Sequence, residues 1–185
     1  MLFRTCLSAA ILALLGLTAC ASVPQEGFDP IPRAQAPVFD PILFFAGRSE
    51  GRGMLSKVGG GTVPVRVESV GEVSPLGVLV LTQTVYEGDA PPRIRTWTME
   101  RLGEGYYSGR LTDAYGLVEG WSRGNMLTLT YTMHGNYEVT QRLTLAPDGQ
   151  RAYNRMRVQL MGATIAELAE EIVRAGPGPD PEAAR

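Results

Sequence analysis

The chain of 185 residues contains 17 Lys and Arg against 19 Asp and Glu, which gives a formal net charge of −2 at pH 7. The cations are dispersed and almost all are arginine, whereas a nucleic-acid-binding module shows a basic excess on one face. With two cysteines, Cys6 and Cys20, and a single histidine, His134, the composition also disfavours metal sites and histidine-based catalysis. We therefore expect no nucleic-acid partner, no metal and no other cofactor.

The N-terminal region combines a short cationic start, which ends at Arg4, with an apolar run over residues 7–16 and the sequence LTAC at residues 17–20. This order of charge, apolar core and small residues is typical of a secretory signal. The run is shorter than the roughly 20 apolar residues that a membrane-spanning helix needs. It resembles a bacterial lipoprotein signal, in which the cysteine is acylated and becomes the first residue after cleavage. We therefore predict a signal peptide over residues 1–19 and lipid attachment at Cys20.

Residues 20–38 are predicted to be the acylated cysteine and a spacer. Four prolines and few large apolar residues in this stretch are typical of an extended, semi-rigid linker. Several acyl chains anchor a protein much more firmly than one chain does. Because Ala21, and not an aspartate, follows Cys20, the resemblance to sorted lipoproteins further implies the outer membrane. We expect a protein that is lipid-anchored in the cell envelope, at the periplasmic face of the outer membrane.

The folded domain is predicted over residues 39–175. It begins with an apolar cluster over residues 39–45, which we interpret as a plug against the core. Short segments of alternating polarity, separated by turn residues, then indicate antiparallel strands. The predicted strands are Glu50–Lys57, Val63–Val70, Val78–Tyr86, Arg93–Arg101, Tyr106–Thr112, Leu117–Ser122, Met126–Met133, Tyr137–Leu145 and Arg151–Leu160.

Eight or nine consecutive strands without intervening helices predict an all-β, antiparallel up-and-down barrel, because closure removes exposed strand edges. A β-sandwich is the alternative. After the strands, Thr164 and Glu167 have the spacing of a capping box, and apolar residues recur at helical intervals. We therefore predict a short C-terminal helix over residues 165–174. The tail over residues 176–185, rich in proline and glycine, is predicted to be disordered.

A series of glycine-spaced aromatic motifs runs through the domain. They are Phe44-Phe45-Ala46-Gly47, Gly51, Gly53, Arg95-Thr96-Trp97-Thr98, Gly105-Tyr106-Tyr107-Ser108-Gly109, Asp113-Ala114-Tyr115-Gly116, Gly120, Gly124-Asn125 and Tyr131. Over about residues 40–162 the series resembles a family of bacterial lipoproteins known as domain of unknown function 3833. The resemblance implies a lipocalin-like barrel. It also implies a link to lipids, since genes of the family are often found near enzymes that modify fatty acids.

Arg95 and Trp97 alternate onto one face of a predicted strand, and Asp113 ends the next one. Together they are candidates for a polar anchor over an aromatic wall inside the barrel. The alternative is a structural ion pair, because a charge inside a small barrel needs a partner with or without a ligand. Aromatic residues on other strands are further candidates for the lining, or for ordinary packing. Those we select are Tyr107, Trp121 and Tyr131.

Other conspicuous residues have simpler interpretations. His134 lies in a turn sequence and is predicted to be solvated. Glu167, Glu170 and Glu171 are predicted to form the solvated face of the C-terminal helix. Arg151, Arg155 and Arg157 share one face of the last strand, where they serve either ordinary solubility or contact with anionic lipid headgroups.

These observations favour a barrel that binds a lipid-like or other hydrophobic small ligand, such as a fatty acid or phospholipid, without catalysis. The absence of a nucleophile–base pair disfavours an enzyme. The alternative is a cell-envelope scaffold with a solid barrel, whose outer surface contacts other proteins. Barrels of about eight strands are either filled by side chains or hold one small ligand. The presence of an interior cavity therefore distinguishes the two hypotheses.

Substitution of Cys20 by alanine tests the predicted anchor. We expect the Cys20→Ala variant to leave the membrane fraction, because acyl chains on Cys20 provide the predicted attachment. Membrane fractionation combined with metabolic acyl labelling measures both properties. A wild-type protein that takes up no acyl label would contradict the lipidation, and sedimentation with the inner membrane would contradict the predicted location.

Overall fold

The computed structural model describes residues 31–175; the predicted signal peptide, Cys20 and the predicted tail lie outside the described residues. Within that range, no helix has the length and apolarity needed to cross a membrane. The elements are α1 (Pro41–Phe45), β1 (Gly47–Lys57), β2 (Gly61–Val73), β3 (Leu79–Glu87), β4 (Arg93–Gly103), β5 (Tyr106–Leu111), β6 (Ala114–Arg123), β7 (Met126–Met133), β8 (Tyr137–Leu145), β9 (Arg151–Leu160) and β10 (Ala163–Ala175).

The ten strands form one closed antiparallel barrel. Each strand from β1 to β10 pairs with the next one in the chain, and β10 pairs with β1 to close the ring. Closure leaves none of these strands as a free edge, which removes the hazard of edge-to-edge association. The predicted all-β barrel is therefore confirmed, with ten strands instead of the eight or nine expected. The alternative of a β-sandwich is wrong.

The predicted C-terminal helix is also wrong, because residues 163–175 form β10. This segment is rich in the helix formers Ala, Leu and Glu. Its inner face buries Ala166, Leu168 and Ile172, while Ala169 on the outer face is covered by Ile31 and by other outer residues. Because both faces of the strand are partly buried, its apolar residues fall at intervals that imitate a helix. Pairing with two neighbouring strands overrides this local preference.

The short helix α1 closes one end of the barrel. Asp40 caps it, since its carboxylate accepts hydrogen bonds from the backbone N–H groups of Ile42 and Leu43 at 2.9 and 3.3 Å. The buried rings of Phe39 and Phe44 pack with centroids 5.1 Å apart. The plug therefore fills this end with apolar side chains and leaves the interior open toward the other end.

Asn125, in the turn just before β7, fastens the segment before α1 to the barrel. Its Oδ1 accepts a hydrogen bond from Ala34 N at 2.7 Å, and its Nδ2 donates to Pro32 O and Leu145 O, both at 2.9 Å. At the adjacent Gly124 the backbone has a φ of +57°, and an added Cβ would lie 2.2 Å from Ala34 O. Glycine is thus required both for the turn and for the close approach of this segment.

The assignment of β10 as a strand predicts opposite effects at two adjacent residues. Ile172 is 7% exposed on the inner face, whereas Val173 is 40% exposed on the outer face. We expect Ile172→Asp to lower the free energy of unfolding by roughly 4 kcal/mol or more, because it removes apolar burial and buries a charge. Val173→Asp is expected to cost less than about 1 kcal/mol. Denaturant unfolding measures both, and equal losses would contradict the assignment.

Candidate functional site

The barrel encloses a cavity of about 80 Å³. It is lined from Phe45 at the plug to Glu87 and Arg93 at the opposite rim, and most of its lining is apolar. This volume holds about five water molecules, at about 15 Å³ each. Polar side chains enter the cavity at two places on the wall, and these define its chemistry.

The first polar group spans the strands β2, β3 and β4. Ser69, Gln83 and Arg95 lie side by side as cross-strand partners. Gln83 Nε2 donates to Ser69 Oγ at 3.0 Å, and Arg95 Nε donates to Gln83 Oε1 at 2.8 Å. Trp97 Nε1 donates to the same oxygen at 2.8 Å. Gln83 Oε1 therefore uses both of its lone pairs to orient the guanidinium and the indole.

Arg95 is a partly buried cation on the inner side of the barrel wall, and no acidic residue within residues 31–175 forms an ion pair with it. Burial lowers its pKa, whereas the nearby Tyr131 hydroxyl and Glu170 carboxyl act in the opposite direction. Arginine nevertheless remains protonated in proteins. Across residues 31–175, Nε has the Gln83 acceptor, but the two Nη atoms have no hydrogen-bond acceptor. The terminal fork of the guanidinium is thus available for an anion in the cavity.

Trp97 is held between two groups. Its ring is 5% exposed and meets Tyr131 edge-on, with centroids 5.4 Å apart and an angle of 89° between the rings. Tyr131 is fixed in turn, because its hydroxyl accepts a hydrogen bond from Gln141 Nε2 at 2.6 Å. Burial raises the pKa of Tyr131. The guanidinium carbon of Arg95 lies 5.5 Å from the Trp97 ring centre, within the range of cation–π attraction.

The second polar group lies on β9 and β10, which β1 separates from the first group on β2, β3 and β4. Asn154 and Glu170 are cross-strand partners, and Asn154 Nδ2 donates to Glu170 Oε2 at 2.9 Å. The Glu170 side chain lies over Gly51 of β1, where an added Cβ would come within 2.0 Å of Glu170 Oε1. Glycine at residue 51 therefore provides the space that a carboxylate inside the ring requires.

Glu170 is 5% exposed, so its predicted position on the solvated face of a helix is wrong. Burial raises the pKa of its carboxyl, while the hydrogen bond from Asn154 and the charge of Arg95 act in the opposite direction. Glu167 and Glu171 do lie on the outer face, where they pair with Arg157 at 3.1 Å and Arg151 at 3.6 Å. The alternation of a strand separates these three glutamates, because successive side chains point to opposite faces.

The open rim carries its own ion pairs. Asp113 accepts from Arg93 Nη1 at 2.7 Å, and Lys57 pairs with Glu87. Arg95 was one of the expected partners of Asp113, but Asp113 pairs with Arg93 instead. Its place at the rim, beside a cavity-lining arginine, puts it at the entrance and not inside the cavity.

The remaining aromatic candidates lie away from the cavity. Tyr107 is buried near the plug, with the guanidinium carbon of Arg101 at 5.5 Å from its ring centre. Trp121 is 43% exposed on the outer surface and packs against Tyr106. Of the six predicted ligand-binding residues, the structure therefore places Arg95 and Trp97 at the cavity, with Tyr131 behind them.

Several polar residues of the cavity were not predicted. Each stands at an inward position, two residues from buried apolar neighbours on the same strand. Gln83 lies between Leu81 and Val85, and Glu170 lies between Leu168 and Ile172. A polar side chain that interrupts the apolar face of a strand is thus the signal that could have identified them. The others with this position are Gln141 and Asn154.

Comparison with known proteins supports the architecture. The sequence profile of the family described as "Protein of unknown function (DUF3833)" matches residues 14–172. Among solved structures, an S-type phycobiliprotein lyase from Guillardia theta is similar, with a TM-score of 0.58 and 6% sequence identity, over 74% of this chain and 91% of that chain. At this identity the likeness shows the fold alone, a lipocalin-like barrel. Comparison with curated proteins gave no match.

The raised pKa of Glu170 predicts a dependence of stability on pH. Because the folded protein holds this proton more tightly than the unfolded chain, stability falls as the pH rises from the usual pKa of a glutamate toward the raised one. Glu170→Gln keeps the size of the side chain and an oxygen for Asn154 but cannot ionise. We expect the variant to be more stable than wild type at neutral pH, and to lose this advantage in acid.

Thermal unfolding at pH about 4 and about 7, on either side of the ordinary range of a carboxyl group, measures this effect. Glu171→Gln is the matched control, since Glu171 lies on the outer face of the same strand. A gain at Glu170→Gln that is the same at both pH values would contradict the prediction.

Proposed function

We propose that this chain, which belongs to the DUF3833 family, binds an amphiphile with an anionic headgroup inside its barrel, without catalysis. The headgroup is held by Arg95, and the apolar part of the ligand packs along Trp97. A fatty acid or an anionic phospholipid has this chemistry. We further propose that the protein is tethered to the cell envelope through Cys20, at the periplasmic face of the outer membrane.

The observation that carries the proposal is the terminal fork of Arg95, which has no acceptor in the described part of the chain and lies at an apolar cavity. A buried charge is costly unless an anion matches it. A carboxylate or phosphate accepts two parallel hydrogen bonds from a guanidinium, and these are stronger than bonds between neutral groups. Gln83 fixes the guanidinium through Nε and leaves both Nη atoms for the ligand. The site is therefore oriented before the ligand arrives.

The size of the cavity limits what is enclosed. Its volume of about 80 Å³ is well below the roughly 300 Å³ of the smallest typical ligand pockets. In the proposal the headgroup and the first part of the chain occupy the cavity, and the rest of the ligand leaves past the rim near Arg93 and Glu87. Side chains of methionine, such as Met99 and Met156 in the lining, can adjust to widen this path.

The likeness to a phycobiliprotein lyase is compatible with ligand binding in a barrel of this kind, although that protein's own activity is not transferred to this chain. A second candidate function is favoured by the small cavity. The plug and the apolar side chains of the wall, including Met99 and Met156, leave a small cavity, as expected for an envelope scaffold that acts through its outer surface. The two candidates differ in whether any amphiphile enters the barrel.

Fluorescence of Trp97 provides the test. The chain has two tryptophans, so Trp121→Phe leaves Trp97 as the single emitter. Residues 20–185 with Cys20→Ser, which contain the whole described barrel, are titrated with a fatty acid and with the alcohol of the same chain length. We expect the acid to bind more tightly than the alcohol. Arg95→Met should weaken acid binding by roughly tenfold or more, because it removes a charge-assisted hydrogen bond worth about 1.5–3 kcal/mol, and should change alcohol binding little.

Arg110→Met is the matched control, since Arg110 is exposed on the outside of β5 and the substitution changes the net charge equally. It is expected to leave both titrations unchanged. If neither ligand changes Trp97 fluorescence at micromolar concentration, the binding proposal fails and the scaffold is favoured. If Arg95→Met weakens the acid and the alcohol to the same extent, the assigned role of Arg95 fails.

A further inference from the structure

Two arginines face each other on the outer wall of the barrel. Arg142 on β8 and Arg155 on β9 are cross-strand partners, and both are exposed. Cross-strand partners on one face have Cβ atoms about 5 Å apart, and like charges at this distance destabilise a sheet. The protein therefore keeps an unfavourable arrangement on this face, which an anion bound between the two guanidinium groups would relieve.

The two arginines belong to a groove of about 380 Å³, which we call the arginine groove. It is also lined by Arg33 from the segment before α1 and by the hydroxyl-bearing residues Thr140 and Thr144. Within the described part of the chain, Arg33, Arg142 and Arg155 form no ion pair with an acidic residue. The acid in the groove lining, Glu167, is already paired with Arg157 at 3.1 Å.

The chain before the barrel leaves from the same wall. Ile31 packs against Tyr153 and Ala169 on the outer face, and Ile31 and Tyr153 also line the arginine groove. Cys20 lies 11 residues before Ile31, and a chain of this length spans at most about 38 Å at roughly 3.5 Å per residue. An anchor at Cys20 therefore keeps this wall within that distance of the membrane surface.

We propose that the arginine groove docks the barrel onto the headgroups of an anionic phospholipid membrane. This proposal rests on the proposed anchoring at Cys20, which supplies the nearby surface. The charges of the groove are complementary to phosphodiester groups, and the arginine fork matches the geometry of phosphate oxygens. Each arginine close to such a surface strengthens binding about fivefold, which is the factor that about 1 kcal/mol gives at 25 °C.

Vesicle binding tests the docking without the acyl anchor. Residues 20–185 with Cys20→Ser are sedimented with vesicles of phosphatidylcholine alone, or of phosphatidylcholine and phosphatidylglycerol in equal parts. We expect binding to the anionic vesicles at about 0.01 M salt and its loss at about 1 M salt, where the Debye length falls from roughly 30 Å to roughly 3 Å. The double variant Arg142→Gln with Arg155→Gln should bind about twenty-five-fold more weakly, from two factors of about fivefold.

Arg48→Gln with Arg110→Gln is the matched control, since it makes the same change in net charge at exposed positions on β1 and β5. This control is expected to lose much less binding. Equal losses in the two double variants would overturn the docking site, as would equal binding of the wild type to both kinds of vesicle.

Thermal unfolding separates the docking from an internal role. We expect the Arg142→Gln and Arg155→Gln variant to be as stable as the wild type or more stable, because it removes a like-charge pair. A marked loss of stability with unchanged vesicle binding would show that an acidic segment of this chain occupies the groove, and would overturn the proposal. A third outcome separates the two proposals. If the wild type takes up acyl label in its host but the Cys20→Ser protein binds to neither kind of vesicle, the docking is overturned and the anchoring is not.

Discussion

The pairing of β1 with β10 is the constraint on which the rest of the structure depends. It closes the ring, and closure decides which side chains of every strand face the interior. On β10 it turns Glu170 inward, although the surrounding sequence is typical of a helix with this residue in solvent. On β1 it requires a residue without a side chain at Gly51, because the Glu170 carboxyl occupies that space. The closing strands thus bring a carboxylate into the interior that local preferences would have left outside.

Inside a closed barrel, a polar group that lacks a hydrogen-bond partner lowers the stability of the fold, because bulk water no longer reaches the group freely. Most of these groups form hydrogen bonds with each other: Ser69 with Gln83, Gln141 with Tyr131, and Asn154 Nδ2 with Glu170. Asn154 Oδ1 has no partner within residues 31–175. Arg95 differs, because its Nε is bound while its terminal nitrogens lack an acceptor in the described residues. Glu170 on β10 influences the pKa of Arg95 on β4 but forms no ion pair with it. The guanidinium of Arg95 and the carboxyl group of Glu170 are held apart, and both line the cavity.

The sequence predicted most of the barrel because the strands β1 to β9 carry a local signal. Leu79, Leu81 and Val85 alternate with exposed residues, and turns such as the one at Gly124 require a residue that tolerates positive φ. The prediction of a helix within residues 163–175 was wrong because this segment becomes a strand by pairing with β1, more than a hundred residues away. Arg95 and Trp97 were found because charge and aromaticity stand out on a strand. Gln83 was missed because a buried amide is recognised only once the inward face of its strand is known. Trp121 was wrongly placed in the lining because the sequence does not show which face of its strand points inward.

In the two proposals, arginines inside and outside the barrel take part in different interactions. Arg95 is partly buried in the barrel wall, so salt screens its attraction for an anion less than it would at a fully exposed site. Arg142 and Arg155 lie in solvent, where their attraction depends on the ionic strength and on the density of charge at the facing surface. Ligand capture inside the barrel should therefore persist at salt concentrations that abolish contact of the outer wall with a membrane. In the proposed arrangement, a ligand held by Arg95 would remain bound when the barrel leaves the membrane surface and is held only by the proposed anchor at Cys20.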